Sequence, residues 1–265
     1  TGARGRIAYR TDGPRPFVDA ELVSPGLDLS GGPRAKPAKS ARVFSDAPFP
    51  LDALRAMDGA GSLRIDRLVL PNGIPLEGVD VRAKLKGGRL DVQPLGARVG
   101  GGTVGGSLAV DAAPGRASSI ALDVRGRDIK LGELAAATGR KATLSGGSTD
   151  LGIALRGPGE STRRFMAGAD GELRIVVGPM RVSGLNLEAG GDALSGVLDA
   201  AMPGRRREPY TDVRCAVVRL PVRNGVATSN RSIAYETSKV NLVAAGTIDF
   251  RSEALDLAIR PTVKE

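Results

Sequence analysis

The chain has 265 residues, a formal net charge of +9, 3% aromatic residues and 37 glycines. It contains no histidine and a single cysteine, Cys215, which excludes an intrachain disulfide, a Cys/His metal cluster and any chemistry that needs an imidazole base. The basic residues are dispersed, with Arg205-Arg206-Arg207 and Arg163-Arg164 the densest runs, and few aromatics are interleaved with them. That pattern fits solvated faces better than a nucleic-acid footprint, so no nucleic-acid partner is expected.

In chain order, a strand pair is expected around Arg4–Tyr9 and Val18–Leu22. The Gly/Pro/Lys-rich stretch 31–40 reads as a linker or mobile loop. Leu51, Leu54 and Met57 share a helical face behind Pro50, predicting a short helix over 51–57. Leu63 and Ile65 then alternate with Arg64 and Asp66, and the phase slips by one so that Leu68 and Leu70 face inward, the mark of a bulge. Val79, Val81, Ala83 and Leu85 alternate with Asp80, Arg82, Lys84 and Lys86. Gly87-Gly88 makes a tight turn, and Leu90 and Val92 continue on the return strand. Leu108 and Val110, then Ile120, Leu122 and Val124, repeat the scheme. Period-2 alternation means one apolar and one charged face, and the short turns predict an antiparallel meander.

Ile129–Gly139 reads as a helix closed by Gly139, Ser161–Met166 as a helical turn, and Asp192–Met202 as an amphipathic helix ahead of Pro203. Leu151, Ile153 and Leu155 form a strand between the first two. Leu173, Ile175 and Val177, then Val182, Leu185 and Leu187, are strand residues. So are Val213, Cys215 and Val217; Val240, Leu242 and Ala244; Ile248 and Phe250; and Leu255, Leu257 and Ile259. Asn224-Gly225 punctuates a hairpin. Cys215, on an apolar strand, reads as a small buried hydrophobe. Blocks of strands thus alternate with short helices, a loose structural repeat.

No catalytic constellation emerges. Asp123, Asp128 and Glu133 have no positioned base or metal motif, and Gly100–Gly106 lacks the Lys-Ser/Thr ending and following helix of a phosphate loop. The expectation is a non-enzyme without cofactor or metal. There is no run of 18 apolar residues. The chain opens at Thr1 and stops just after a strand pattern, so it is read as a piece of something longer.

Three stretches resemble the AsmA-like family of bacterial envelope proteins. The first is Phe49–Arg55 followed by Gly61–Leu68; the second is Leu76–Val81 with Gly88–Val92 and Gly105–Leu108; the third is Cys215–Val217 with Asn224–Val226, Gly246–Phe250 and Glu253–Leu257. The resemblance runs from about Val43 to Lys264, in the C-terminal periplasmic part of such proteins. It implies a mainly β fold, an elongated, curved antiparallel β-sheet, groove- or taco-like, built from repeated strand blocks. Residues 1–40 would be a partial preceding block and linker, and 41–265 the AsmA-like C-terminal β-rich domain, truncated at its end.

The resemblance further implies the periplasmic part of an inner-membrane-anchored protein of the Gram-negative envelope. Its role would be phospholipid transport or homeostasis between the two membranes, with phospholipid or another acyl lipid as partner. The alternative is an assembly scaffold for outer-membrane proteins that pairs edge strands with envelope protein partners. An acyl groove would use Val79, Val81, Leu85, Leu90, Val92, Leu108, Val110, Leu122 and Val124, with Gly100-Gly101-Gly102 and Gly105-Gly106 permitting curvature. Arg64, Arg82, Lys84 and Arg89 are candidate headgroup contacts. The apolar face could equally be the core of a closed sandwich.

Overall fold

A computed structural model describes residues 2–31, 42–137, 143–183 and 210–264. The elements in chain order are β1 (Arg4–Arg10), β2 (Phe17–Ser24), β3 (Leu27–Asp28), α1 (Leu51–Ala56), β4 (Asp58–Val69), β5 (Pro75–Lys86), β6 (Arg89–Val99), β7 (Gly102–Asp111), β8 (Ser119–Lys130), α2 (Leu131–Ala137), β9 (Thr143–Gly146), β10 (Ser148–Pro158), α3 (Thr162–Ala167), β11 (Asp170–Val177), β12 (Met180–Ser183), β13 (Tyr210–Arg223), β14 (Val226–Thr237), β15 (Val240–Asp249) and β16 (Ala254–Val263).

All sixteen strands belong to one sheet with the path β1-β2-β4-β5-β6-β7-β8-β10-β11-β13-β14-β15-β16. The sheet does not close, and among the described residues no second sheet packs on it. The fold is therefore mainly β, as the alternation predicts, and the sandwich alternative does not hold. The sheet is not a pure meander, however: β2 and β3 pair with β4 in parallel. Residues 42–57 bring the backbone into β4 at the end where β2 began, and a strand entered from the same end as its neighbour must run alongside it. Every other ladder is antiparallel.

The tight turns follow local chemistry. Gly87 and Gly88 have φ of 61° and 83°, and Asn224-Gly225 has 45° and 73°, the two consecutive left-handed residues that a two-residue hairpin of matching twist requires. The phase slip shows in the burial: Ile65 is buried, Asp66 and Arg67 are both exposed, and Leu68 and Leu70 are half-buried. No bulge marks it in the β4–β5 ladder, whose register is constant from Gly59–Leu85 to Val69–Pro75, while the β5–β6 register shifts between Glu77 and Asp80. Further shifts occur between Val92 and Leu95 and at several points from β8 to β15. Each keeps the apolar set on one side while bending the strand.

The expected helix over Ile129–Gly139 begins later. Ile129 lies in β8, which ends at Lys130; it is 4% exposed and paired with Thr149, and helix runs only from Leu131. A β-branched residue completing a ladder is better placed there than in a first helical turn. Gly139, Leu185, Leu187, the Asp192–Met202 helix and most of the 31–40 stretch lie outside the described residues. The turn at Ser161 is α3, with the Ser161 hydroxyl accepting the Arg164 N–H at 3.1 Å.

Residues 42–57 form a strap along one rim of the sheet. Phe44 packs edge-on against Phe250, with ring centroids 6.1 Å apart, and the Val43 and Phe44 N–H groups donate to the Glu253 carboxylate. The Ser45 carbonyl accepts the Arg163 N–H, and Phe49 N–H donates to the Glu160 carbonyl. Arg55 Nε donates to the Ala112 carbonyl at 2.8 Å. The strap thus joins the β15–β16, β10–β11 and β7–β8 turns before entering β4. Along the sheet, β4 to β15 is nine strand steps, or about 43 Å at ~4.8 Å per step. The strap from Phe44 to Asp58 reaches only about 37 Å, because six of its residues are helical. A chord shorter than its arc bends the sheet, with the strap on the inside.

Candidate functional site

The ladder registers place one row of side chains across all thirteen strands of the path. It reads Ile7–Ala20–Gly61–Ala83–Val92–Leu108–Leu122–Leu155–Gly171–Val222–Ala227–Ile248–Leu255. No member is polar. A second row, Leu22–Leu63–Val81–Leu95–Gly106–Val124–Ile153–Leu173–Leu220, runs beside it. Leu85, Leu90, Val110 and Ile120 form a third, shorter row. Alternation along each strand and register across strands together make a continuous apolar face.

All nine candidate groove residues stand on this face. Leu85, Leu90 and Val110 share one row, Val92, Leu108 and Leu122 the next, Val81 and Val124 the next, with Val79 opposite Ile65. Val79 and Val110 are buried and the other seven half-buried. The face also includes Leu63, Leu95, Leu155, Leu173 and Leu220, which the groove prediction left out although their strands carry the same alternation. Leu95 needs the Val92/Leu95 register shift to reach this side, and alternation alone would have sent it to the other.

The face is filled at the strap rim of its C-terminal half. Phe165 of α3, 9% exposed, packs with Leu155, Ala169, Leu220, Val222 and Ala227, flanked by Met166, Ile248 and Phe250. Because α3 and the strap bond to each other and α3 sits on this apolar cluster, the strap side and the apolar side are the same. The apolar face is therefore the concave one. Away from the rim it is open among the described residues: Ile175, between Leu151 and Val218, remains 41% exposed. Tyr235, on the same face between Ala216 and Leu242, has its phenol pKa pushed up by burial.

Glycines let strands approach closely under this face. A Cβ at Gly106 would lie 2.0 Å from the Asp123 carbonyl oxygen, and one at Gly171 (φ 143°) 1.9 Å from that of Ala154. Gly100 and Gly101 instead make the β6–β7 turn.

The convex face is polar and laced with charge pairs. Arg64 and Arg82 flank Asp80 at 4.0 and 3.8 Å, Arg89 reaches Asp91 at 3.1 Å, and Arg219 pairs with Glu172. Arg181 forks onto Asp212, holding that carboxyl below its usual range, and lies 4.4 Å above the Tyr210 ring centroid. The four candidate headgroup residues, Arg64, Arg82, Lys84 and Arg89, all stand on this side, on the opposite surface from the apolar row. Recesses of 380 Å³ over Gly152 and 560 Å³ over Gly105 also open here. They are gaps between long Arg side chains, lined by charges of both signs. Among the described residues no three His, Cys, Asp or Glu side chains could jointly hold a metal, and no helix is long and apolar enough to cross a membrane.

A single curved sheet, apolar and concave on one side and charged on the other, defines an open β half-pipe. The AsmA family profile matches residues 33–232, three quarters of the chain, and the protein belongs to the AsmA family. The chain is also similar to the AsmA family protein YhjG of Escherichia coli (strain K12), 26% identical over 287 aligned positions that take in 98% of this chain. It spans 40% of that relative's length. No solved structure matches. Family membership supports an envelope-related role.

Proposed function

We propose that the concave face holds the acyl chains of envelope phospholipid, and that this half-pipe is the periplasmic part of a longer, inner-membrane-anchored protein that moves or balances lipid between the two membranes. The protein is not an enzyme in this reading. The observation that carries it is the thirteen-strand row from Ile7 to Leu255 without one polar side chain. Its twelve strand steps span about 58 Å, whereas one leaflet of a bilayer's hydrocarbon core is about 15 Å deep. Each methylene removed from water onto such a face contributes about 0.8 kcal/mol, so a single chain of a dozen or more carbons is held firmly without any polar contact. Headgroups would project from the open rim into solvent. Arg64, Arg82, Lys84 and Arg89 face the other way.

Native mass spectrometry of the purified protein, with lipid extraction alongside, tests this. The expected result is phospholipid at defined stoichiometry, lost when Val81 and Leu122 are both changed to Asp in a protein that stays folded. A folded, lipid-free wild type overturns it. The filled rim around Phe165 favours the second reading, an assembly scaffold working through edge strands, and that reading predicts captured envelope proteins instead of lipid.

A further inference from the structure

The ladder registers gather arginines that are far apart in the chain into one line on the convex face. Gly96, Gly105, Arg125, Gly152, Arg174 and Arg219 stand side by side on β6, β7, β8, β10, β11 and β13. Each of these strands is paired on both sides within the sheet. No acidic residue falls in this stretch of the line. Arg174 lies directly opposite Arg219, and like charges so placed are destabilising. The nearby carboxylates stand beside the line and are already engaged. Glu172 accepts from Arg219 Nε at 2.9 Å, Asp123 lies 3.4 Å from Arg125, and Asp150 accepts the Asp128 backbone N–H at 2.9 Å. Arg127 and Arg174 are exposed and have no ion-pair partner among the described residues.

Gly152 stands between two of these arginines, Arg125 on β8 and Arg174 on β11. Gly106 and Gly171 are held to glycine by neighbouring carbonyl oxygens, but Gly152 is not. Its φ is not in the left-handed region, and a Cβ there would meet nothing nearer than the Arg174 Cβ at 3.9 Å, an ordinary contact. The register shift of β10 lies between Thr149 and Leu151, outside the Gly152 pairing. A strand-interior glycine required neither by the backbone nor by packing weakens the strand, and such a position marks a place where a ligand approaches closely. The recess of 380 Å³ opens over this residue.

We propose that this recess binds a phosphate group, clasped between Arg125 and Arg174 over the bare backbone of Gly152, with Arg127 closing a third side. Guanidinium forks match the oxygens of a phosphate, and their hydrogen bonds to it are charge-assisted. Arg125, Arg127, Arg174 and Arg219 outnumber Asp123, Asp150 and Glu172, so the local charge stays positive. A bound dianion would also offset the repulsion between Arg174 and Arg219. Free phosphate and the phosphate of a lipid headgroup present the same oxygens to the site. It lies on the opposite surface from the apolar row, so the proposal stands whatever the concave face holds.

Isothermal titration calorimetry with sodium phosphate, in chloride buffer of matched ionic strength, tests it on the 265-residue protein. Wild type is expected to bind phosphate saturably. Arg125→Gln and Arg174→Gln each remove charge-assisted bonds and should weaken binding at least about tenfold. Without phosphate, Arg174→Gln should unfold at the same or a higher temperature than wild type, because it removes the like-charge pair. Gly152→Val fills the recess with a better strand former, so binding should vanish while circular dichroism and the thermal midpoint hold. Phosphatidylcholine vesicles containing phosphatidic acid separate the two sources. Co-sedimentation with them, abolished by Arg174→Gln and by excess free phosphate, assigns the site to a lipid headgroup; phosphate binding without co-sedimentation assigns it to a soluble phosphate. A wild type that neither binds phosphate saturably nor sediments with the vesicles overturns the proposal. So does binding that Arg174→Gln and Gly152→Val leave unchanged.

Discussion

Replacing Phe165 by Ala distinguishes the filled rim of the concave face from its open part. Phe165 is 9% exposed and wedged among Leu155, Leu220 and Val222, so truncation leaves a cavity that the strap and α3 prevent from collapsing. The expected cost is about 3–5 kcal/mol. Ile175→Ala removes three carbons, about 2.4 kcal/mol if fully buried. The side chain is 41% exposed on the open part of the face, so roughly 1.4 kcal/mol remains, with no cavity term because solvent or ligand fills the gap. Urea unfolding followed by far-ultraviolet circular dichroism reads both. At a denaturant slope of about 3 kcal/mol/M, Phe165→Ala moves the midpoint down by at least about 1 M and Ile175→Ala by about half that. Equal shifts for the two variants would show that the face is uniformly covered, and would refute a half-pipe filled only at the rim.

Gly106→Ala and Gly171→Ala drive a Cβ into a neighbouring carbonyl oxygen and should each cost at least about 1–3 kcal/mol, measured as a drop in thermal midpoint. Glu253→Gln weakens the hold on Val43 and Phe44, so limited proteolysis should cut the 43–49 strap faster while the rest of the sheet keeps its protection. Lys264 depresses the Glu236 carboxyl below its ordinary 4.5. The stability it adds is complete above that value and fades as pH falls through the lowered one, so Glu236→Gln should flatten the acid side of a thermal-midpoint profile slightly, the pair being solvent-screened. Changing Arg64, Arg82, Lys84 and Arg89 together to Gln should leave bound lipid unchanged, since all four face away from the concave side; loss of lipid by native mass spectrometry would place headgroups on the convex surface.

Period-2 alternation made the strands from Leu63 to Val124 legible, and with them the nine residues of the apolar face, because a half-buried sheet imposes that period on every strand. Gly87-Gly88 and Asn224-Gly225 announced their turns through the left-handed backbone such turns demand. The parallel pairing of β2 with β4 was not legible, because it is decided by where the strap sends the chain and not by β2 itself. Leu95 escaped because Gln93-Pro94 shifts the register, a tertiary event that local alternation does not encode. The convex placement of Arg64, Arg82, Lys84 and Arg89 was implicit in the alternation, but which face is concave depends on α3 and the strap. Ile129 went to a helix because its neighbours Leu131 and Leu134 share a helical face, while the ladder partner Thr149 lies twenty residues downstream.

The central claim is that acyl chains lie on the concave face and nowhere else. Adjacent residues of β8 test it at the finest spacing, because Leu122 and Asp123 point to opposite sides of one strand. A photo-crosslinking side chain at each position, irradiated in the lipid-bearing protein and analysed by mass spectrometry, gives the most direct answer. Phospholipid adducts at position 122 and none at 123 are the predicted result; adducts at 123, or none at 122 in a folded protein, would contradict it.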